Sequence, residues 1–183
     1  PQYAEAYALL GYTYWIERIL GWSADPQTLE RMFEMAQQAL ALNDSLPTAH
    51  GLLSIVYAQK QQYDQALAEG ERAVALDPNY ADSYALQAEV LNFAGRPEEA
   101  LQSVEQAMRL NPRSPPWYLF WLGWAYRMTG RYAEAIATLK ESLSRSPNTV
   151  GSYLLLALTY VDQWISQQNP DSQTLAQAKA AVQ

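Results

Sequence analysis

A chain of 183 residues with 49% apolar content can bury about 70% of its unfolded surface in one folded unit, which excludes general disorder. The net charge of −7 comes with no cluster of Lys or Arg, and this argues against a nucleic-acid or anionic-membrane surface, because neutralising phosphates takes a basic patch. Cysteine is absent, so disulfides, thiolate nucleophiles and cysteine metal sites are excluded together; a cytoplasmic compartment is expected, with the periplasm left open.

Five helix pairs are predicted in a single domain, at about 4–46, 47–80, 81–115, 116–149 and 150–183. The first pair opens on Tyr7, Leu10, Gly11 and Tyr14, and its connection runs through Asp25-Pro26-Gln27-Thr28-Leu29. The middle three are regular: 47–60 with 63–76, 81–94 with 97–110, and 116–129 with 132–145. Their first helices end at turns such as Gly95-Arg96-Pro97 and Gly130-Arg131-Tyr132, where glycine suits a left-handed stop and proline the first helical position. Their second helices run into Asp77-Pro78, Asn111-Pro112 and Ser146-Pro147, and proline disfavours helix in the residue before it.

Pro78 and Pro112 lie 34 residues apart, and Pro112 and Pro147 lie 35 apart. A period of this size means stacked helix pairs, since one pair cannot bury its own apolar face. The last pair opens on Tyr153, Leu156, Ala157 and Tyr160 and repeats Gln-Thr-Leu at 173–175, 146 residues after its first occurrence. Both terminal pairs are therefore expected to carry a longer first helix and a longer connection. Small residues at Ala66, Ala73, Ala100, Ala107, Ala135 and Ser142 predict close helix approach. Glu105 with Arg109 and Glu141 with Arg145 are expected as ion pairs one turn apart.

Pro1 stands where an initiator Met would, no basic-then-apolar segment opens the chain, and residues 176–182 stop midway through a predicted helix. A longer parent protein is expected, or end-to-end contact between copies that gives a homo-oligomer. The longest uncharged apolar stretches, at 117–126 and 150–161, fall short of the roughly 18 residues a membrane span needs. Direct membrane insertion is not expected.

Leu122-Gly123, Tyr126, Gly130, Tyr132, Ala135 and Pro147, together with Tyr57, Tyr63, Ala66, Ala73 and Pro78, resemble the tetratricopeptide repeat. The resemblance implies an all-α right-handed solenoid of about five helix-turn-helix repeats, with first helices lining an inner concave surface. It also implies a non-enzymatic scaffold that binds protein or peptide. Departures from the pattern are Gln87 and Ala88 where Leu and Gly are usual, Ser142 for Ala, and Asp44 for the final Pro. Gly21-Trp22-Ser23 with Asp25-Pro26, and Pro116-Trp117-Tyr118-Leu119, are also similar to repeat regions appended to bacterial class III nucleotide cyclases and winged-helix regulators. That similarity implies the alternative role, a regulatory or dimerisation module of a multidomain signalling protein.

No Gly-rich phosphate loop, His-Glu-x-x-His helix or Gly-x-Ser-x-Gly elbow is present, so no catalytic, cofactor or metal site is expected. The single histidine, His50, takes the place held by Tyr7, Tyr84 and Tyr153 and reads as a hydrogen-bonded packing residue. What the core pattern does not absorb is a stripe on one helix: Trp117, Phe120, Trp124 and Arg127, spaced by three, four and three residues. Leu119, Leu122 and Tyr126 form a separate stripe that serves the core.

By the resemblance, the aromatic stripe faces the concave surface, where matching positions hold Tyr12 and Trp15, then Glu89, Asn92 and Phe93. Two readings stand: packing between neighbouring first helices, or a groove of aromatic anchors edged by polar groups. The groove is the candidate site, for a partner segment that is apolar with some basic residues. Acidic C-terminal tails of the kind bound by the family's chaperone adaptors are not expected there. The inner positions Ala8, Gly51, Ala85, Phe120 and Leu154 offer no side-chain donor to a carboxylate.

Overall fold

A computed structural model describes residues 3–19 and 25–168. Nine helices follow one another among these residues: α1 (Ala4–Ile19), α2 (Thr28–Leu42), α3 (Pro47–Gln59), α4 (Tyr63–Leu76), α5 (Ala81–Phe93), α6 (Pro97–Leu110), α7 (Pro116–Met128), α8 (Tyr132–Arg145) and α9 (Val150–Gln168). The second helix expected for the fifth pair, the second Gln-Thr-Leu and the Gly21-Trp22-Ser23 segment lie outside the described residues. The long first helices of the terminal pairs are observed, at 16 residues in α1 and 19 in α9 against 13 in α3, α5 and α7.

The stops of the regular first helices share one geometry. Arg96 N–H donates to Leu91 O at 2.9 Å and Arg131 N–H to Tyr126 O at 2.8 Å, each bond wrapping a glycine, Gly95 at φ 73° or Gly130 at φ 76°. This is the Schellman turn that the sequence predicts. The second pair makes the same turn without glycine: Gln62 N–H donates to Tyr57 O at 2.9 Å, and Gln61 is held at φ 60°. In this conformation an L side chain crowds its own backbone, so Gln61→Gly is expected to raise stability by about 1 kcal/mol in urea denaturation.

Second helices end on a residue outside the helical region, at Asp77, Asn111 and Ser146, each followed by the proline that drives it out of helix. Asn43 also lies outside it, as an extended cap, although Asp44 replaces the proline. A local bond substitutes for it, Ser45 N–H donating to Asn43 Oδ1 at 3.1 Å.

The first helices α1, α3, α5 and α7 each pack on the second helix of their own pair, and first helices also pack on those of neighbouring pairs, α1 on α3, α3 on α5, α5 on α7 and α7 on α9. The odd-numbered helices thus form one layer of a solenoid and the even-numbered helices back it. The small residues sit where the layers meet, with Ala66, Ala73, Ala100, Ala107 and Ala135 fully buried and Ser142 nearly so. Departures from the repeat pattern are compensated locally. Ser142 Oγ donates to Pro116 O at 3.0 Å, and Gln87 Oε1 accepts from Ser103 Oγ at 2.9 Å, so neither buried hydroxyl lacks a partner.

Of the expected ion pairs, Arg145 reaches Glu141 at 3.8 Å. Arg109 instead donates to Gln106 Oε1 at 3.0 and 2.7 Å. His50 is buried as a packing residue, its Nδ1 2.6 Å from Glu69 Oε2 and its Nε2 2.9 Å from the carbonyl oxygen of Asp44. That contact ties α3 to α4 and to the turn before it.

A candidate aromatic cavity on the inner layer

Side chains from α1, α5 and α7 converge around a cavity of about 480 Å³. Six large rings line it: Trp15 from α1, Phe93 from α5, and Trp117, Phe120, Trp121 and Trp124 from α7. The rings hold one another edge to face. Trp15 and Trp117 meet at 5.6 Å, Phe93 and Trp124 at 5.1 Å, and Phe120 and Trp121 at 4.7 Å, while Trp121 and Trp124 lie more nearly parallel at 5.6 Å. Such offset and edge-on pairs are the favoured ring geometries. The Trp15–Trp117 contact joins residues 102 positions apart and brings the first repeat onto the fourth across the inner layer.

The residues of the stripe lie in two settings. Trp117 is partly buried and packs against the two largest apolar clusters, while Phe120 and Trp124 are also half-buried and face the cavity. Leu119 and Leu122 are buried at 2% and 7% exposure, as the core stripe predicts. Trp121 belongs to neither predicted stripe yet forms a wall. The signal was available in its spacing of four from Trp117 and three from Trp124, which is also one helical face.

Several expected groove residues have other work. Tyr12 donates its hydroxyl to Thr48 O at 3.2 Å and packs between α1 and α3. Asn92 is buried, and its amide donates to Trp121 O at 3.0 Å, fastening α5 to α7. Arg127 makes an ion pair with Asp162 at 2.7 Å, which joins α7 to α9. None of the three lines the cavity.

Glu89 is expected at an edge and is instead on the wall, at 1% exposure. Its Oε2 has no hydrogen-bond partner. Burial pushes the carboxyl up to about 8, opposed only by the nearby Trp15 indole; the indole Nε1 is close but not in hydrogen-bond geometry and is itself unpartnered. At neutral pH the cavity wall therefore holds a neutral carboxyl. Ile16, Gln59, Pro116, Ser142, Ser146, Thr149, Gly151 and Ser152 complete the lining; they lie near helix ends, and nothing in the single-helix pattern singles them out.

Of the inner positions that would have to hold an acidic tail, Ala8, Ala85 and Gly51 are buried between helices, Phe120 is a cavity wall and Leu154 is exposed. Among the described residues no group of His, Cys, Asp and Glu could hold a metal ion, and no helix is long and apolar enough to cross a membrane.

Stacked helix pairs of fixed period, one layer of first helices and glycine- and proline-marked turns define a helical-repeat scaffold protein. Sequence models of the tetratricopeptide repeat match residues 47–80, 70–102 and 94–159, and the chain belongs to that family. It is 29% identical over 115 residues to anaphase-promoting complex subunit 3 of Schizosaccharomyces pombe, matching 62% of this chain and 17% of that protein. The chain thus spans well under a third of that relative's length. Its fold is similar to TTC0263, a thermophilic repeat protein of Thermus thermophilus, with a TM-score of 0.67, 21% identity and 97% of each chain covered. It is also similar to YrrB, described as a repeat protein with an unusual peptide-binding site, with a TM-score of 0.54, 23% identity, and 83% and 84% of the two chains covered.

Proposed function

We propose that the chain is a non-enzymatic scaffold that holds a protein or peptide segment in the aromatic cavity of its inner layer. The carrying observation is that six rings from three separate first helices surround about 480 Å³ of space. Clustered tryptophans around a concavity are the usual makeup of an interface hot spot. The subunit character of the S. pombe relative and the peptide site named for YrrB agree with a binding role. The acidic balance of the chain favours encounter with a segment that carries basic residues.

The test compares Trp124→Ala with Leu122→Ala, using peptides selected by phage display on the wild-type protein. Leu122 is buried in the core cluster, so its truncation is expected to cost about 2–5 kcal/mol of stability. Trp124 is half-buried on the cavity wall, so its truncation is expected to weaken peptide binding by about 2 kcal/mol or more while the melting temperature moves little. Equal early melting by both variants would place Trp124 in the core and sink the reading. A peptide ending in Glu-Glu-Val-Asp is expected to show no micromolar affinity by calorimetry, and micromolar binding would count against this choice of partner.

A further inference from the structure

The cavity is not simply apolar. Glu89, at 1% exposure, belongs to its wall and has Oε2 unpartnered, and six tryptophan and phenylalanine rings stand around the same space. Among the described residues no Lys or Arg lines it. Of the cations on the surrounding helices, Arg127 pairs with Asp162 at 2.7 Å, Lys60 pairs with Glu30 at 3.3 Å and lies over the Phe33 ring, and Arg18 donates to Oε1 of the lining residue Gln59 at 3.3 Å. A buried carboxyl with nothing of opposite charge to meet it is costly to retain.

Resting on the binding role above, we propose that the cavity is an ammonium site: an alkylammonium group, carried by a partner's lysine or by a free amine, enters among the tryptophan rings and pairs with Glu89. The negative ring faces attract a cation, most strongly for tryptophan and in desolvated surroundings. An anionic ligand would be repelled by the ring faces, and its charge would hold Glu89 in the neutral form. A neutral apolar ligand would cover the rings and still leave Oε2 without a partner, which is the costly arrangement. An ammonium satisfies both, and in doing so reverses the burial effect that keeps Glu89 protonated in its absence.

The remaining space suits the rest of such a ligand. An ammonium head fills only a small part of about 480 Å³, which leaves room for a four-carbon stem and part of a backbone. Trp121 and Ser152 also line the cavity, and Trp121 Nε1 and Ser152 Oγ are buried and unpartnered. They are donors, suited to carbonyl oxygens of a peptide that brings the amine in.

Tryptophan emission and calorimetry on the purified chain test this with defined probes. n-Butylammonium is compared with 1-butanol, and acetyl-Gly-Lys-Gly-amide with its norleucine counterpart, on wild type and Glu89→Gln. The charged probes are expected to saturate, and each neutral counterpart to bind about tenfold or more weaker. Glu89→Gln is expected to lose about tenfold or more for the charged probes and nothing for the neutral ones. A lysine peptide that outbinds butylammonium points to a partner-borne amine, and the reverse order to a free amine; both support the site.

Equal binding of charged and neutral probes, or undiminished cation binding by Glu89→Gln, overturns the proposal while leaving the aromatic cavity as a peptide site. Absence of binding by all four probes at tens of millimolar overturns it as well. The charge comparison on wild type decides the matter even if the Glu89 variant fails to fold. Failure of the peptide-binding role itself is read separately, from the selected peptides and Trp124→Ala.

Discussion

Replacing Glu89 with Gln is expected to stabilise the protein by about 2–5 kcal/mol at pH 9 and to leave it nearly unchanged at pH 4. The sign follows from the direction of the shift. Burial raises the Glu89 carboxyl from 4.5 to about 8, so between those values the folded state binds a proton that the unfolded state has released. The wild-type protein therefore loses stability as pH rises from about 4.5 to about 8. Below that window both states are protonated and the contribution vanishes; above it the full cost of a buried, unpaired carboxylate remains. A shift from 4.5 to about 8 corresponds to a ceiling of about 5 kcal/mol at 1.36 kcal/mol per unit.

Gln mimics the protonated carboxyl in shape and does not titrate, so its difference from wild type isolates this one group from others that titrate nearby in pH. Glu99 and Glu134 are lowered from their ordinary values, chiefly by Arg96 in the first case and by a backbone hydrogen bond in the second. They act in the opposite direction on acidification, but identically in both proteins. The measurement is urea denaturation of the two proteins from pH 4 to 9. Parallel curves would show that water or a neighbour satisfies Glu89 in solution, and the carboxyl would then not be the buried group described above.

What the sequence makes legible here is what local chemistry decides. Gly95 and Gly130 announce left-handed stops, and Pro78, Pro112 and Pro147 announce non-helical caps; the period between them then dictates stacking. The regular helices differ from their predicted bounds by one residue at Lys60, Ala94 and Thr129, which are capping residues. Gln61 escapes notice because its left-handed turn is imposed by the repeat geometry against the preference of the residue.

The cavity is less legible because it depends on the curvature of the whole stack. A single helix shows that Trp117, Phe120 and Trp124 share a face, but not that Trp15 arrives from three repeats away. Nor can spacing alone distinguish a carboxyl at a rim from one on a buried wall, as Glu89 is, or a groove-edge amide from a helix fastener, as Asn92 is.

The spacing of α7 and α8 gives the second large effect, and it is one of sign. Gly123 lies where a methyl group would come within 2.7 Å of Leu139 Cγ and 2.8 Å of Leu139 Cδ2, and Leu139 is fully buried. In an open helix Gly→Ala gains about 1 kcal/mol. Here the overlap involves the branch carbon of a buried Leu as well as a flexible tip, and overpacking of this kind costs about 1–3 kcal/mol. Gly123→Ala is therefore expected to destabilise. Leu139→Ala alone should cost about 2–5 kcal/mol, through lost burial and the cavity left behind. In that background the obstruction is gone, so adding Gly123→Ala should stabilise, by propensity and by partly filling the space. Denaturation of the four proteins measures the coupling, expected at about 1–3 kcal/mol; additive effects would mean that the two helices do not meet at this point. Because α7 also carries Trp117, Trp121 and Trp124, pushing it off α8 displaces a cavity wall. The tryptophan emission of Gly123→Ala should shift with its loss of stability, and the double variant should return toward wild type.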